Sequence, residues 1–159
     1  MNFRIGFGFD THKLEDGRQC LLGGVLIPNA RGPAGHSDAD ALIHAIIDAL
    51  LGAAALRDIG FHFPDSSPEF KDIESRILLS RTCGMIRSAG YEIGNIDSTV
   101  VLQAPKISKY IPDMVSALAH IMNIPPGSVS VKAKTSERLG FIGREEGLSV
   151  YAVALLISS

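Results

Sequence analysis

"FRIGFGFDTH" (residues 3–12) is the stretch that decides the fold. Phe3, Ile5, Phe7 and Phe9 alternate with Arg4, Gly6 and Gly8, and a period of two means a strand with one buried face. Asp10 and His12 continue the opposite register, so they share a face at the strand's end. "LSVYAVALLIS" (148–158) is the last strand, and strand content at both ends predicts that the terminal strands pair. "CLLGGVLIPNA" (20–30) reads as a strand broken by Gly23 and Gly24, a bulge or bend. "EIGNIDSTVVLQ" (92–103) and "VSVKAK" (129–134) complete the strand set.

Helical patterns lie between these strands. Ser37 opens the first: "SDAD" has the Ser-x-x-Asp form of a capping box, and the apolar pattern runs to about Leu56. The second spans roughly 73–89, and the third runs from about Ser108 to Asn123 with Pro112 in its first turn. "RDIGFHFPDSSPEF" (57–70) is a loop by composition but carries Phe61, Phe63 and Phe70, the mark of an ordered, functional loop. The order ββ, α, loop, α, β, α, β, β predicts an α/β (α+β sandwich) fold. It is read as one domain over 1–159, with a mixed four-stranded sheet and helices on one face.

Composition narrows the function classes. Lys plus Arg is 15 and Asp plus Glu is 17, for a formal charge of −2 with no basic cluster, so nucleic acid is not an expected partner. The most apolar run, "ALIHAIIDALLGAAAL" (41–56), carries His44 and Asp48 and reads as a buried helix, not a membrane span. "MNFRIGFG" lacks the regions of a signal peptide, and the expected location is the cytoplasm. Cys20 and Cys83 lie far apart without a CxxC and read as reduced structural thiols.

Two constellations carry chemistry. Asp10 and His12 from a strand with His44 from a helix make an Asp/His₂ set with an open position, which suits catalytic zinc. The competing reading is that Asp10 caps a turn and His44 is a satisfied core histidine. "KAKTSERLGFIGREEG" (132–147) offers the Thr135 and Ser136 hydroxyls, the Glu137 carboxylate, Gly140, Gly143 and Arg144, a set that can cradle phosphate and a bridging magnesium; a hairpin with a solvated tip competes. "LQAPKIS" (102–108) leaves a strand through Pro105, where exposed backbone can read a base edge with Lys106 near a phosphate. "GFGFD" lacks the third glycine and following helix of a dinucleotide fingerprint and is rejected as one.

Taken together, "RIGFGFDTH", "GGVLIP", "GHSDADALIHAIIDALLGAAALRDIG", "FPDSSPEFK", "DSTVVLQAPKI" and "VKAKTSERLGFIGREEG" resemble the 2-C-methyl-D-erythritol 2,4-cyclodiphosphate synthase family of the non-mevalonate route to isoprenoids, over essentially the whole chain. The resemblance implies a lyase that converts 4-diphosphocytidyl-2-C-methyl-D-erythritol 2-phosphate into the cyclodiphosphate and CMP. It implies a homotrimer with sites at subunit boundaries. It places zinc on Asp10, His12 and His44, and magnesium or manganese on the substrate diphosphate near Glu137. His36 and Thr135 match its transition-state positions. Asp58, Ile59 and Gly60, with Phe63, Pro64, Asp65, Ser66 and Ser67, match its ribose and methylerythritol contacts. Leu102, Gln103, Ala104, Pro105, Lys106, Ile107 and Ser108 match the cytosine pocket, and Ser37, Lys134, Ser136, Phe141 and Arg144 join the expected substrate contacts. Phe9, Phe141, Arg144 and Glu146 resemble residues lining a central trimer cavity that takes an isoprenoid diphosphate.

The chain departs from the family's frequent residues at Phe7 (often His), Thr11 (often Val), Lys134 (often Thr) and Glu145 (often Gly), none of them a matched ligand. Asp40 and Asp48, one turn either side of His44, read either as groups that orient its imidazole or as a solvated helix face. Two other functions fit the same residues: a zinc phosphohydrolase with water as nucleophile, and a non-catalytic trimeric binder of isoprenoid diphosphates.

Overall fold

The computed structural model describes residues 2–35 and 37–158. Strand β1 (Phe3–Asp16) runs antiparallel to β7 (Gly147–Ser158), with Phe9 opposite Tyr151 and His12 opposite Leu148. The chain ends therefore pair, as strand content at the termini predicts. β7 also pairs antiparallel with β5 (Tyr91–Val101), and β5 pairs parallel with β6 (Val129–Lys134). A short strand, β4 (Arg31–Pro33), adds to the far end of β1, giving the order β4-β1-β7-β5-β6.

The sheet is thus mixed but five-stranded, not four. The composition of "CLLGGVLIPNA" also misleads: it is a separate hairpin of β2 (Cys20–Leu22) and β3 (Val25–Ile27), not one broken strand. Gly23 and Gly24 form the two-residue turn with φ of +60° and +76°, a conformation that favours glycine at both positions.

Four longer or shorter helices cover one face: α1 (Ala41–Ala53), the single-turn α2 (Ile59–His62), α3 (Ser75–Ser88) and α4 (Ile111–Met122). A further turn, α5 (Gly140–Gly143), precedes β7. Helix α1 is buried almost all round, with ten of its side chains in the core between the sheet and α3. It begins at Ala41, four residues later than the "SDAD" pattern indicates. Asp40 is its N-cap, accepting from the Ile43 N–H at 3.1 Å and from the Gly23 and Gly24 N–H groups at 2.9 and 2.7 Å. One carboxylate therefore ties the hairpin turn to the helix start. Burial pushes the Asp40 pKa up to about 6, against the three N–H groups that favour its charge.

The buried side of β1 is the glycine side. An added Cβ at Gly6 would lie 1.9 Å from the Ala49 carbonyl oxygen, and one at Gly8 would lie 1.8 Å from that of Ala45. The missing side chains let α1 lie directly on the strand. Phe3, Ile5, Phe7 and Phe9 point away from the helices and are 48–73% exposed, joined by Tyr151 and Val153 of β7. Alternation marks a strand, but it misleads about which face the fold covers. Among the described residues no helix is long and apolar enough to cross a membrane.

Candidate metal centre and nucleotide pocket

Because Gly6 and Gly8 bring α1 onto β1, a histidine one turn into the helix reaches the strand's end. The His44 Nδ1 lies 3.2 Å from the Asp10 Oδ2, and the His12 Nε2 lies 2.9 Å from the same oxygen. One ligand atom from each of Asp10, His12 and His44 lies within 4.8 Å of the others. Two atoms at zinc-ligand distance from one tetrahedral ion stand about 3.3 Å apart, so this spacing fits a shared cation.

The proton inventory points the same way. His12 Nδ1 is 2.7 Å from the Ala34 carbonyl oxygen, which can only accept, so in the neutral ring the proton sits there and Nε2 carries the lone pair. That Nε2 is buried without a well-aligned hydrogen bond, although it is close to Asp10. A divalent cation among these atoms satisfies the orphaned nitrogen and the carboxylate at once, and the residues fit a metal. Burial alone would raise the Asp10 pKa, but hydrogen bonds and charge from His12 and His44 hold it far below the usual carboxylate range.

The triad opens into a cavity of about 240 Å³ whose wall includes Ser37, Ile59, Gly60, Phe63, Asp65, Phe70, Ile73 and Leu78. The 57–70 segment is more ordered than its composition implies. Asp48 accepts from the Ile59 N–H at 2.8 Å, Asp58 accepts from the Phe61 N–H at 2.9 Å, and Phe63 packs edge-on against Phe70 at 5.4 Å. Asp58, Pro64, Ser66 and Ser67 are not on this wall. Asp48 is thus engaged with the start of α2 and Asp40 with the hairpin; neither bonds to the His44 ring. His36 lies outside the described residues.

Leu102, Gln103, Pro105, Lys106, Ile107 and Ser108 line a second pocket of about 180 Å³ with Ala133, Lys134 and Thr135. It shares no lining residue with the metal cavity. The end of β6 is tied to it: the Leu102 N–H donates to the Lys134 carbonyl at 2.9 Å, and the Arg138 N–H donates to Gln103 Oε1 at 3.1 Å. Thr135 Oγ1 donates to Glu137 Oε1 at 3.1 Å. Ala104, Ser136 and Glu137 flank the pocket in sequence without lining it. Phe141 within α5 and the Arg144–Glu146 ion pair just after it, at 2.9 Å, are exposed. A larger open groove of about 470 Å³ at the end of α4 has no carboxylate, Lys or Arg on its wall.

A single family model, described as the YgbB family, matches residues 3–157. The chain belongs to the YgbB family. The 2-C-methyl-D-erythritol 2,4-cyclodiphosphate synthase of Porphyromonas gingivalis is 57% identical over 157 residues, covering 99% of this chain and 97% of that protein. The synthase of Bacteroides fragilis is 53% identical over 98% of both chains. Among solved structures, a CDP-bound 2C-methyl-D-erythritol-2,4-cyclodiphosphate synthase superimposes with a TM-score of 0.90 at 36% identity, covering 97% of this chain and all of that one. The bifunctional IspDF of Campylobacter jejuni superimposes with a TM-score of 0.96 at 40% identity, and this chain spans 43% of its length. The family resemblance legible in the sequence thus holds for the YgbB fold from end to end.

Two further residues bear on the candidate metal centre with no metal-ligand spacing in the sequence to mark them. Ser75, fully buried at the start of α3, is 2.8 Å from the His44 Nε2, and its hydroxyl also bonds to Asp38. The "SDAD" stretch predicts a helix start at Ser37, but Asp40 is the cap of α1, and Asp38 accepts instead from the Ser75 N–H at the start of α3, at 2.9 Å.

Proposed function

We propose that this protein cyclises 4-diphosphocytidyl-2-C-methyl-D-erythritol 2-phosphate to 2-C-methyl-D-erythritol 2,4-cyclodiphosphate with release of CMP. The observation that carries this reading is the convergence of Asp10, His12 and His44 beside a partly apolar cavity, in a chain of the family whose relatives bear that name. The substrate's own 2-phosphate attacks the β-phosphorus, a new P–O bond closes the ring, and the bond to the bridging oxygen of CMP breaks. No protein nucleophile is needed, and both cysteines are buried, with burial pushing their thiols up to about 11.

The work left to the protein is positioning and charge. Asp10, His12 and His44 would hold zinc, which when bound supplies Lewis-acid stabilisation of a phosphate oxygen. Ile59, Phe63 and Phe70 limit water at the reacting phosphorus, where it would compete as nucleophile. Backbone groups of the 102–108 turn read the cytosine edge, and Lys106 and Lys134 attract the nucleotide phosphates. Glu137 is assigned to holding magnesium or manganese on the diphosphate. Thr135 and His36 are assigned to the transition state.

The two pockets are distinct in one chain, and we assign them to different subunits of a homotrimer. The exposed Phe3, Ile5, Phe7, Phe9, Tyr151 and Val153 face supports that assembly, because an apolar sheet face of this kind seeks cover. The same face, together with Phe141, Arg144 and Glu146 from α5 and the residues leading into β7, is the candidate central cavity for an isoprenoid diphosphate.

The test is incubation with the substrate, zinc and magnesium, followed by mass analysis of both products. Cyclodiphosphate with CMP is the expected result; CMP with a linear phosphorylated product overturns cyclisation in favour of hydrolysis. Mixing His12→Ala and Lys106→Ala variants should restore activity in hybrid trimers. No restoration after confirmed subunit exchange places each site within one subunit.

A further inference from the structure

We propose that Ser75 and Asp38 form a positioning relay that holds His44 in its Nε2–H tautomer, so that Nδ1 presents a lone pair to the metal. The proposal rests on the reading of Asp10, His12 and His44 as metal ligands.

The argument is an account of protons. Asp38 accepts from the Ser75 N–H at 2.9 Å, from the Asp40 N–H at 3.3 Å, and from the Ser75 hydroxyl through a short hydrogen bond. An ionised carboxylate only accepts, so the Ser75 hydroxyl proton belongs to that bond. Ser75 then has only lone pairs left for the His44 Nε2 at 2.8 Å, and Nε2 must carry the proton. The opposite assignment, with Ser75 donating to a bare Nε2, would set the hydroxyl lone pairs against the Asp38 carboxylate. Ser75 is fully buried, so solvent cannot readily reverse the pattern. Ser37 Oγ, at 3.4 Å from the same nitrogen, is a weaker second acceptor.

The relay has a counterpart on the other imidazole. His12 is fixed by the Ala34 carbonyl through Nδ1, so it offers Nε2; His44 is fixed by Ser75 through Nε2, so it offers Nδ1. Outer hydrogen bonds thus prepare both rings to face Asp10 with lone pairs, and such partners also raise the basicity of the ligating nitrogen. Asp38 has a second duty. Glu74, the residue before α3, makes no side-chain cap, and the Asp38 carboxylate takes that place from another part of the chain. The start of α3 and the His44 ring are therefore registered by one group. Neither Ser75 nor Asp38 is placed to touch a reacting atom; both act through His44.

The experiment uses the full chain loaded with zinc. Zinc affinity is measured by competition with a chromophoric chelator. The histidine side-chain ¹H–¹⁵N spectrum of the zinc form reports which nitrogen of His44 bears the proton. Wild type should show a protected Nε2–H and a metal-shifted Nδ1. Ser75→Ala, which leaves the backbone cap of α3 in place, should lose that protected proton and bind zinc about 10- to 100-fold more weakly. Asp38→Ala, which does not touch the ring, should act in the same direction, and the double variant should be no worse than the stronger single one. Metal bound through the His44 Nε2 in wild type overturns the proposal without any variant. So does wild-type zinc affinity in Ser75→Ala, or single effects that add in the double variant. If wild type binds no zinc, the reading of the triad itself fails, a result distinct from loss of the relay alone.

Discussion

Gly8→Ala should separate the metal ligands without altering any of them. A Cβ at Gly8 would stand 1.8 Å from the Ala45 carbonyl oxygen and 2.7 Å from the Ala49 nitrogen, where ordinary contact begins at 3.4 Å. Both neighbours are helix backbone, so α1 must lift from β1 by about 1.6 Å, there being no side chain to turn aside. Overpacking of this kind costs about 1–3 kcal/mol, and backbone contact puts it at about 3. For a domain of this size each kcal/mol lowers Tm by about 2–4 °C, so a fall of about 6–12 °C is expected. The functional effect is larger in proportion. Metal ligands need placement within about 0.2 Å, and His44 rides on the helix that moves while Asp10 and His12 stay on the strand. Zinc binding should fall sharply and turnover about 100-fold. The assay is differential scanning fluorimetry with and without zinc, then chelator competition and steady-state turnover. Gly84→Ala in α3 is the control: nothing lies within 4 Å of its added Cβ, and it should be neutral or slightly stabilising. Wild-type Tm and zinc affinity in Gly8→Ala would refute the close approach of α1 to β1 as the device that builds the site.

Zinc at about 100 times its Kd should stabilise the protein by about 2.7 kcal/mol, an effect reversed by chelator and absent in His12→Ala, as thermal melts with and without metal would show. Asp40→Ala should cost about 2–4 kcal/mol in urea unfolding, because it removes a helix cap and the acceptor for the hairpin N–H groups. Burial pushes the thiols of Cys20 and Cys83 up to about 11, so both stay protonated from pH 7 to 9. Alkylation of the native protein should not accelerate across that range as it does for an exposed thiol near 8.5, and both should react once it is unfolded.

The strands of this fold were legible because period two survives in Phe3–Phe9 and in 148–158. The direction of burial was not, because glycine carries no hydropathy signal, yet the absence of its side chain admits a helix. Asp10, His12 and His44 were legible as a set with zinc chemistry, but only the packing of α1 on β1 brings them together. The sequence predicts the first helix four residues early because Ser37 has the form of a cap in "SDAD", whereas Asp40 caps α1 and Asp38 serves the start of α3, 37 residues further on. Strand β4 was invisible: three residues including a proline carry no alternation. Ser75 was equally silent, since a serine at a helix start is ordinary and its contact with His44 spans 31 residues.

The place of β7 between β1 and β5 has a consequence for how the protein comes into being. On the ribosome, residues 3–16 emerge about 130 residues before the strand that joins them to the rest of the sheet. Helix α1, apolar on nearly every side, is synthesised more than ninety residues before β7 completes the floor that β1 begins. The nascent chain can lay that helix on β1 and later on α3, but the part of its surface that rests on β7 stays uncovered until residues 147–158 are made. Both sheet pairings made by β7 are long-range or close late, and such topologies fold slowly. A chain that still lacks β7 thus has β1 and β5 unjoined and part of α1 bare, and the demand for chaperones should rise with the rate of its synthesis.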